Sequence, residues 1–231
     1  MKLWMKKIIW IAIVITSLSG QHWTDDIHLF SPGISNGGST PSIAVAPNGV
    51  VHAVWMEMAE PTYYNPVAIH YARSDDYGET WAIRCTLTEL YPNRHYYQPA
   101  IAISNNYVHV VWVDVDVPNS YQGRICYRRS IDSGINWEDP VLLDSVGTNW
   151  APSITSDAYG NVNVVWTDKY YNNYSYYAFE VIHSSNRGEN WGNVIPLYIS
   201  YGMFANFLST SIVSDWAVPN KVHIAGNIRI I

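Results

Sequence analysis

Residues 74–81 read SDDYGETW, residues 130–137 read SIDSGINW and residues 184–191 read SSNRGENW: three versions of Ser-x-Asp/Asn-x-Gly-x-x-Trp that begin 56 and then 54 residues apart. Even spacing of one pattern marks a repeated structural unit. Working outward, each copy is preceded by a second repeated stretch: PSIAVAPNGVVHAVW (41–55), PAIAISNNYVHVVW (99–112) and PSITSDAYGNVNVVW (152–166). A fourth such stretch, TSIVSDWAVPNKVHIAG (210–226), puts Ile212 in the place of Ile43, Ile101 and Ile154. Each is a short β-branched run, a turn of Pro, Asn, Gly or Asp, and a second β-branched run, which is the pattern of a β-hairpin. A third strand such as VAIHYARS (67–74) or GRICYRRS (123–130) leads into the octapeptide, and a fourth such as TWAIRCTL (80–87) leaves it. One repeat is therefore four antiparallel strands. Such units in series, with no helix-period segment between them, describe the blades of an all-β propeller, whereas a β-sandwich has no reason to repeat its turn sequence. The expected blades are 38–91, 92–148, 149–205 and an incomplete 206–231, after a lead-in strand over 21–37.

The octapeptide makes physical sense as the turn between the third and fourth strands. The side chains of Asp76, Asp132 and Asn186 can accept turn amides, behind Ser74, Ser130 and Ser184. Gly78, Gly134 and Gly188 supply a backbone angle that a Cβ disfavours, and Trp81, Trp137 and Trp191 are expected to be largely buried against the blade. A calcium loop would need a denser run of oxygen ligands than these turns carry. The acids of the octapeptides are read as structural.

The chain opens MKLWMKKIIWIAIVITSLSG, with Lys2, Lys6 and Lys7 ahead of an apolar run from Ile8 to Ile15 and small residues at Ser17, Ser19 and Gly20. That order is a secretory signal over 1–20, cleaved after Ser19 or Gly20; the competing reading, an uncleaved anchor, has an apolar core short of the ~20 residues that span a bilayer. Export would place the mature chain outside the cell or in a periplasm, with no further membrane contact. Loss of the three lysines takes the formal charge from −6 to −9. An acidic chain excludes a nucleic-acid partner, whose phosphates require a basic face. With 48% hydrophobic residues, 18 tyrosines and 11 tryptophans it can bury a core and still present aromatics with a polar edge. Cys85 and Cys126 have no metal-ligand spacing, so no metal or cofactor is expected; they either pair across neighbouring strands after export or remain two separate thiols.

The octapeptide resembles the Asp-box, or BNR repeat, of the sialidase (neuraminidase) superfamily, and its three copies with their hairpins cover about 38–231. The resemblance implies a six-bladed propeller, of which about three and a half blades are present here, so a partial gene product is expected. It also implies exo-hydrolysis of terminal sialic acid by three arginines that grip the carboxylate, a Tyr nucleophile with a Glu partner, and an Asp acid/base. The first arginine belongs to an Arg-Ile-Pro motif, and the matching stretch here is Ser39-Thr40-Pro41, with the proline and without the arginine. Residues 56–67, MEMAEPTYYNPV, hold Glu57 and Glu60 where the next Arg and the Asp are implied. Ser or Thr cannot replace a bidentate guanidinium. Arg73, Arg128, Arg129 and Arg187 cluster at the octapeptides, which leaves Arg94 and Arg124 for the opposite face.

With strands in the order A-B-C-D, the A–B turns and octapeptides share one face, and the loops 58–66, 90–98, 114–123, 144–151, 168–177 and 198–209 build the other. That loop face carries Tyr63, Tyr64, Tyr96, Tyr97, Tyr121, Trp150, Tyr170, Tyr171 and Tyr174, with Asp114, Asp116 and Asp168 among them. Rings stack on the apolar faces of sugars while acids and phenols bond hydroxyls, so the expected partner is a glycan or glycoprotein, bound without catalysis. The alternatives are a fragment of an exo-sialidase or related glycoside hydrolase, and a structural repeat within a larger surface protein. The oligomeric state is not legible.

Overall fold

A computed structural model describes residues 14–17, 20–23, 27, 29, 37–59, 65–117, 122–171, 175–201, 205–215, 218 and 221–230. It is all-β. A hairpin of β1 (Val14–Ser17) and β2 (Gly20–Trp23) precedes three four-stranded antiparallel sheets in meander order. The first sheet is β3 (Gly37–Val45), β4 (Val51–Ala59), β5 (Asn65–Ser74) and β6 (Ile83–Thr86). The second is β7 (Arg94–Ser104), β8 (Tyr107–Asp116), β9 (Gly123–Ser130) and β10 (Val141–Asp144). The third is β11 (Trp150–Ser156), β12 (Val162–Tyr171), β13 (Ser175–Ser184) and β14 (Ile195–Tyr201), and a fourth unit pairs β15 (Ala205–Ser214) with β16 (Val222–Ile230). The inner strands pack in the order β3, β7, β11, β15, so the sheets stand side by side as blades of a partial β-propeller.

The apolar runs of the second strands follow from burial on both faces. Val108, Val110 and Trp112 of β8 meet Val54, Ile69 and Tyr71 of the first blade, while Val111, Val113 and Val115 meet Val162, Val164 and Trp166 of the third. Each such valine removes on the order of 1.5–3 kcal/mol of apolar surface energy from water, and these two interblade layers form most of the core.

The octapeptides close the third-to-fourth strand turns by one hydrogen-bond scheme. The buried Ser74 hydroxyl donates to Asp76 Oδ1 (2.7 Å) and accepts from Gly78 N (2.8 Å), and Asp76 Oδ1 accepts Thr80 N (2.8 Å). The second copy repeats this with Ser130, Asp132, Gly134 and Asn136 at 2.7, 2.8 and 2.8 Å. The third uses Asn186 Oδ1, which accepts Ser184 Oγ and Asn190 N at 2.9 Å each. Residues Tyr77, Ser133 and Arg187 adopt left-handed φ of 60°, 59° and 61° ahead of the glycines.

The tryptophans differ from the expectation. Trp81 is buried, under Ile27 and Leu29 of the lead-in. Trp137 and Trp191 are half-buried, because each meets a tyrosine of the preceding blade edge-on instead of lying under a covering segment. Trp137 stands 4.9 Å from Tyr71, and Trp191 4.8 Å from Tyr127. Cys85 and Cys126 are both free thiols, Cys126 buried and Cys85 half-buried.

Hydrogen bonds between turns fix the two faces. Ser133 N donates to Asn106 O and Arg187 N to Gly160 O, both at 2.7 Å, so the octapeptides lie with the A–B turns. On the other side Val117 N reaches Asn93 O (2.9 Å), Thr148 N reaches Lys169 O (3.1 Å) and Asn149 N reaches Gly123 O (3.3 Å). The B–C and D–A loops share that opposite face.

Candidate functional site

The loop face converges on the inner strands, and each inner strand is interrupted there. Pairing slips between Ser39 and Ser42, between Tyr97 and Ala100, and between Trp150 and Ser153. The interrupting residues are Thr40-Pro41, Gln98-Pro99 and Ala151-Pro152, and the residue before each proline is left-handed, with φ of 46°, 51° and 50°. Proline has no N–H to give to a ladder, so a bulge is the place it is tolerated. A β-branched Thr at positive φ is a marked outlier for an L-residue. Side chains of neighbouring blades hold the bulges: Gln98 Oε1 accepts Ala151 N (2.8 Å), and Thr210 Oγ1 donates to Ala151 O (2.5 Å).

The three bulges surround a cleft of about 300 Å³. Pro41, Pro99 and Pro152 supply its apolar wall, and Thr40, Ser42, Ser209, Thr210 and Gln98 its hydroxyls and amide. Immediately before two of the bulges stand Tyr97 and Trp150, both half-buried, with ring centroids 5.2 Å apart and planes at 64°. His95 extends the group edge-on to Tyr97, its Nδ1 3.2 Å from the Tyr97 hydroxyl. Burial holds the His95 imidazole below its usual range and the Tyr97 phenol above its own. The group is therefore neutral near pH 7.

The acids of the loop face have a different part. Glu57, Asp114 and Asp168 occupy one register, two residues after Trp55, Trp112 and Trp166. Asp114 accepts Arg94 Nη1 at both oxygens (3.0 and 2.8 Å) and Arg124 Nη2 at Oδ2 (2.6 Å). Burial pushes the Asp114 carboxyl up, opposed by the Arg94 hydrogen bonds. Asp168, almost wholly buried, accepts Thr148 N at 2.6 Å. Glu57 Oε2 lies 2.7 Å from His70 Nε2, and His70 stacks on Trp55. Each carboxylate thus braces a blade and is already engaged.

Of the residues singled out in the sequence, the fold brings Tyr97 and Trp150 together. Tyr96 instead turns into the layer between the first two blades, donates to Glu89 O (2.7 Å), and has its phenol pushed up to about 12 by burial. Asp116 is half-buried, opposite Arg94 in the ladder. Tyr170 and Tyr171 end β12, with only their backbone described. Tyr63, Tyr64, Tyr121 and Tyr174 lie outside the described residues. Gln98 and Thr210 were not expected here, and Thr40 was named only for the arginine its stretch lacks; the x-Pro-Ser/Ala-Ile repeat at 40–43, 98–101 and 151–154 is the signal that marks Thr40 and Gln98.

No family model matches the sequence, and no curated protein does. Solved structures do match its fold. A protein of unknown function from Dyadobacter fermentans superimposes with a TM-score of 0.61 at 13% identity, over 83% of this chain and 62% of that one. The GH93 α-L-arabinofuranosidase of Fusarium graminearum, solved with arabinobiose, gives 0.55 at 16% identity over 76% and 52%. The Trypanosoma rangeli sialidase, solved with sialic acid, gives 0.57 at 14% identity over 82% and 34%. The chain is similar in fold to propeller glycosidases of both kinds and spans between a third and two thirds of the length of these three.

Proposed function

We propose that this chain is a secreted carbohydrate-binding propeller module that receives a glycan at the loop-face end of the inner strands. The observation that carries this reading is the Tyr97–Trp150 pair, two half-buried rings 5.2 Å apart at the edge of the interblade core, each next in the chain to a residue, Gln98 or Ala151, that lines a cleft of hydroxyls and an amide. Rings of this kind stack on the C–H faces of a sugar, and the Thr, Ser and Gln side chains can exchange hydrogen bonds with its hydroxyls. The fold's likeness to structures holding arabinobiose and sialic acid supports a glycan as the ligand class. Binding is favoured over hydrolysis because Glu57, Asp114 and Asp168 are tied to a histidine, two arginines and a backbone amide. Most glycosidases instead work with a pair of carboxyl groups flanking the scissile bond, sialidases with their Tyr nucleophile being an exception.

The test is a glycan array probed with the wild-type chain and with Trp150→Ala. The expected result is retention on a defined subset of glycans that Trp150→Ala reduces tenfold or more while the circular dichroism spectrum is unchanged. Equal retention of a folded Trp150→Ala variant would overturn the site, and release of sugar from a retained glycan would overturn the non-catalytic assignment.

A further inference from the structure

Resting on that reading, we infer that the glycan the cleft selects is neutral, and that acidic sugars are rejected by it. The cleft offers the hydroxyls of Thr40, Ser42, Ser209 and Thr210 and the amide of Gln98, and no ionisable side chain among its described residues. Hydroxyls and amides both donate and accept, which matches sugar hydroxyls; a carboxylate needs donors with positive charge. The guanidiniums of Arg94 and Arg124 on this face both close on the single carboxylate of Asp114, at 2.8 and 2.6 Å. Freeing one for a ligand would leave the Asp114 carboxylate, 7% exposed, short of a partner. His95 beside Tyr97 is held neutral by burial and adds no charge. A sugar carboxylate entering here would lose hydration without a cation among the described residues that line the cleft, whereas a neutral ring would exchange water for hydroxyl, amide and proline contacts.

Thr40 is the position that decides this preference. It is solvent-exposed at the rim of the cleft and left-handed at φ 46°, so an unbranched side chain adds no strain that the β-branched Thr does not already carry. Thr40→Arg therefore places a guanidinium at the cleft with the bulge retained.

The experiment is calorimetric titration of the wild-type chain and of Thr40→Arg with matched oligosaccharides: neutral arabino-, galacto- and gluco-oligosaccharides, and galacto-oligosaccharides capped with sialic or glucuronic acid. The expected result is that the best neutral probe binds the wild-type chain at least tenfold tighter than its acid-capped counterpart, and that Thr40→Arg narrows the gap through tighter binding of the capped probe. Equal or tighter binding of the capped probe by the wild-type chain would overturn the inference while leaving glycan binding intact. Absence of binding to either series would overturn the underlying reading and this inference with it.

Discussion

The hydroxyl of Tyr71 stands against Gly134 of the next blade, so close that a Cβ at Gly134 would lie 1.8 Å from the Tyr71 oxygen. The same relationship joins Tyr127 to Gly188, at 1.9 Å. Each phenol is fixed from behind by a buried imidazole, His52 Nδ1 at 2.6 Å and His109 Nδ1 at 2.7 Å. Beside them Arg73 Nη1 donates to Ser133 O (3.0 Å) and Arg129 Nη1 to Arg187 O (2.8 Å). The octapeptide glycine is therefore the socket into which the preceding blade plugs. In the third blade Val181 and His183 occupy the positions of the tyrosine and arginine.

Gly134→Ala should be among the most damaging small substitutions in the chain. The residue is left-handed at φ 82° and its Cβ would meet the Tyr71 hydroxyl, so both strain and overpacking act, with an expected cost of about 2–4 kcal/mol. Thermal denaturation measures it. Recovery of most of that stability in the double variant Gly134→Ala, Tyr71→Ala, relative to Tyr71→Ala alone, confirms that the clash is the cause; strictly additive losses would refute it.

Truncation of the octapeptide tryptophans should follow their burial. Trp81→Ala is expected to cost ~3–5 kcal/mol, the usual range for a buried large aromatic, and Trp137→Ala and Trp191→Ala distinctly less, because those rings are half-exposed. Asp132→Ala removes acceptors for Ser130 Oγ and Asn136 N and should cost about 1–3 kcal/mol. Asn186→Asp should be neutral or mildly stabilising, since a carboxylate accepts the same two donors more strongly. A loss of glycan binding in Asp132→Ala with stability unchanged would show the turn to be a functional site.

Stability should fall on mild acidification. Burial lowers the imidazole of His52 to about 4 and that of His109 to about 3, from an ordinary 6.5. The unfolded chain takes up these protons below pH 6.5 while the folded chain resists until near pH 4, so the folded state loses on the order of 3 kcal/mol per histidine across that window. The Asp76 carboxylate, held at about 2 by hydrogen bonds from Thr80 and Ser74, contributes stability that is present above pH 4 and lost as pH falls towards 2. Denaturant titrations between pH 7 and 4 should show the loss, and His52→Asn, which installs the side chain present at Asn163 of the third blade, should remove about half of it, the His109 share remaining. An unchanged slope in His52→Asn would contradict the assignment.

The blades were legible because each fixed residue of the octapeptide meets a demand that a turn makes locally: Ser74 bonds Gly78 N, Asp76 bonds Thr80 N, and Gly78 takes a φ of 95°. The site was legible only in part. Tyr97 and Trp150 could be placed on one face from strand order, but their contact depends on bulges whose left-handed residues, Thr40, Gln98 and Ala151, share no chemistry. The fate of Asp114 rests on Arg94, twenty residues earlier in the chain and across the ladder, and no local pattern states that pairing. Tyr96 and Tyr97 show the limit most plainly. Adjacent residues on a strand point to opposite faces, and only the packing decides that Tyr96 is buried while Tyr97 stays half-buried at the edge of the interblade layers.

The most direct test of the account is the response of the tryptophan indole N–H resonances to a bound neutral oligosaccharide, followed by two-dimensional NMR with Trp150→Phe and Trp81→Phe variants to assign the signals. With the ligand on the loop face, the Trp150 indole shifts with saturable dependence on ligand while the Trp81, Trp137 and Trp191 indoles of the opposite face stay in place. Shifts confined to Trp81, Trp137 and Trp191, with Trp150 unmoved, would put the ligand on the octapeptide face and contradict it.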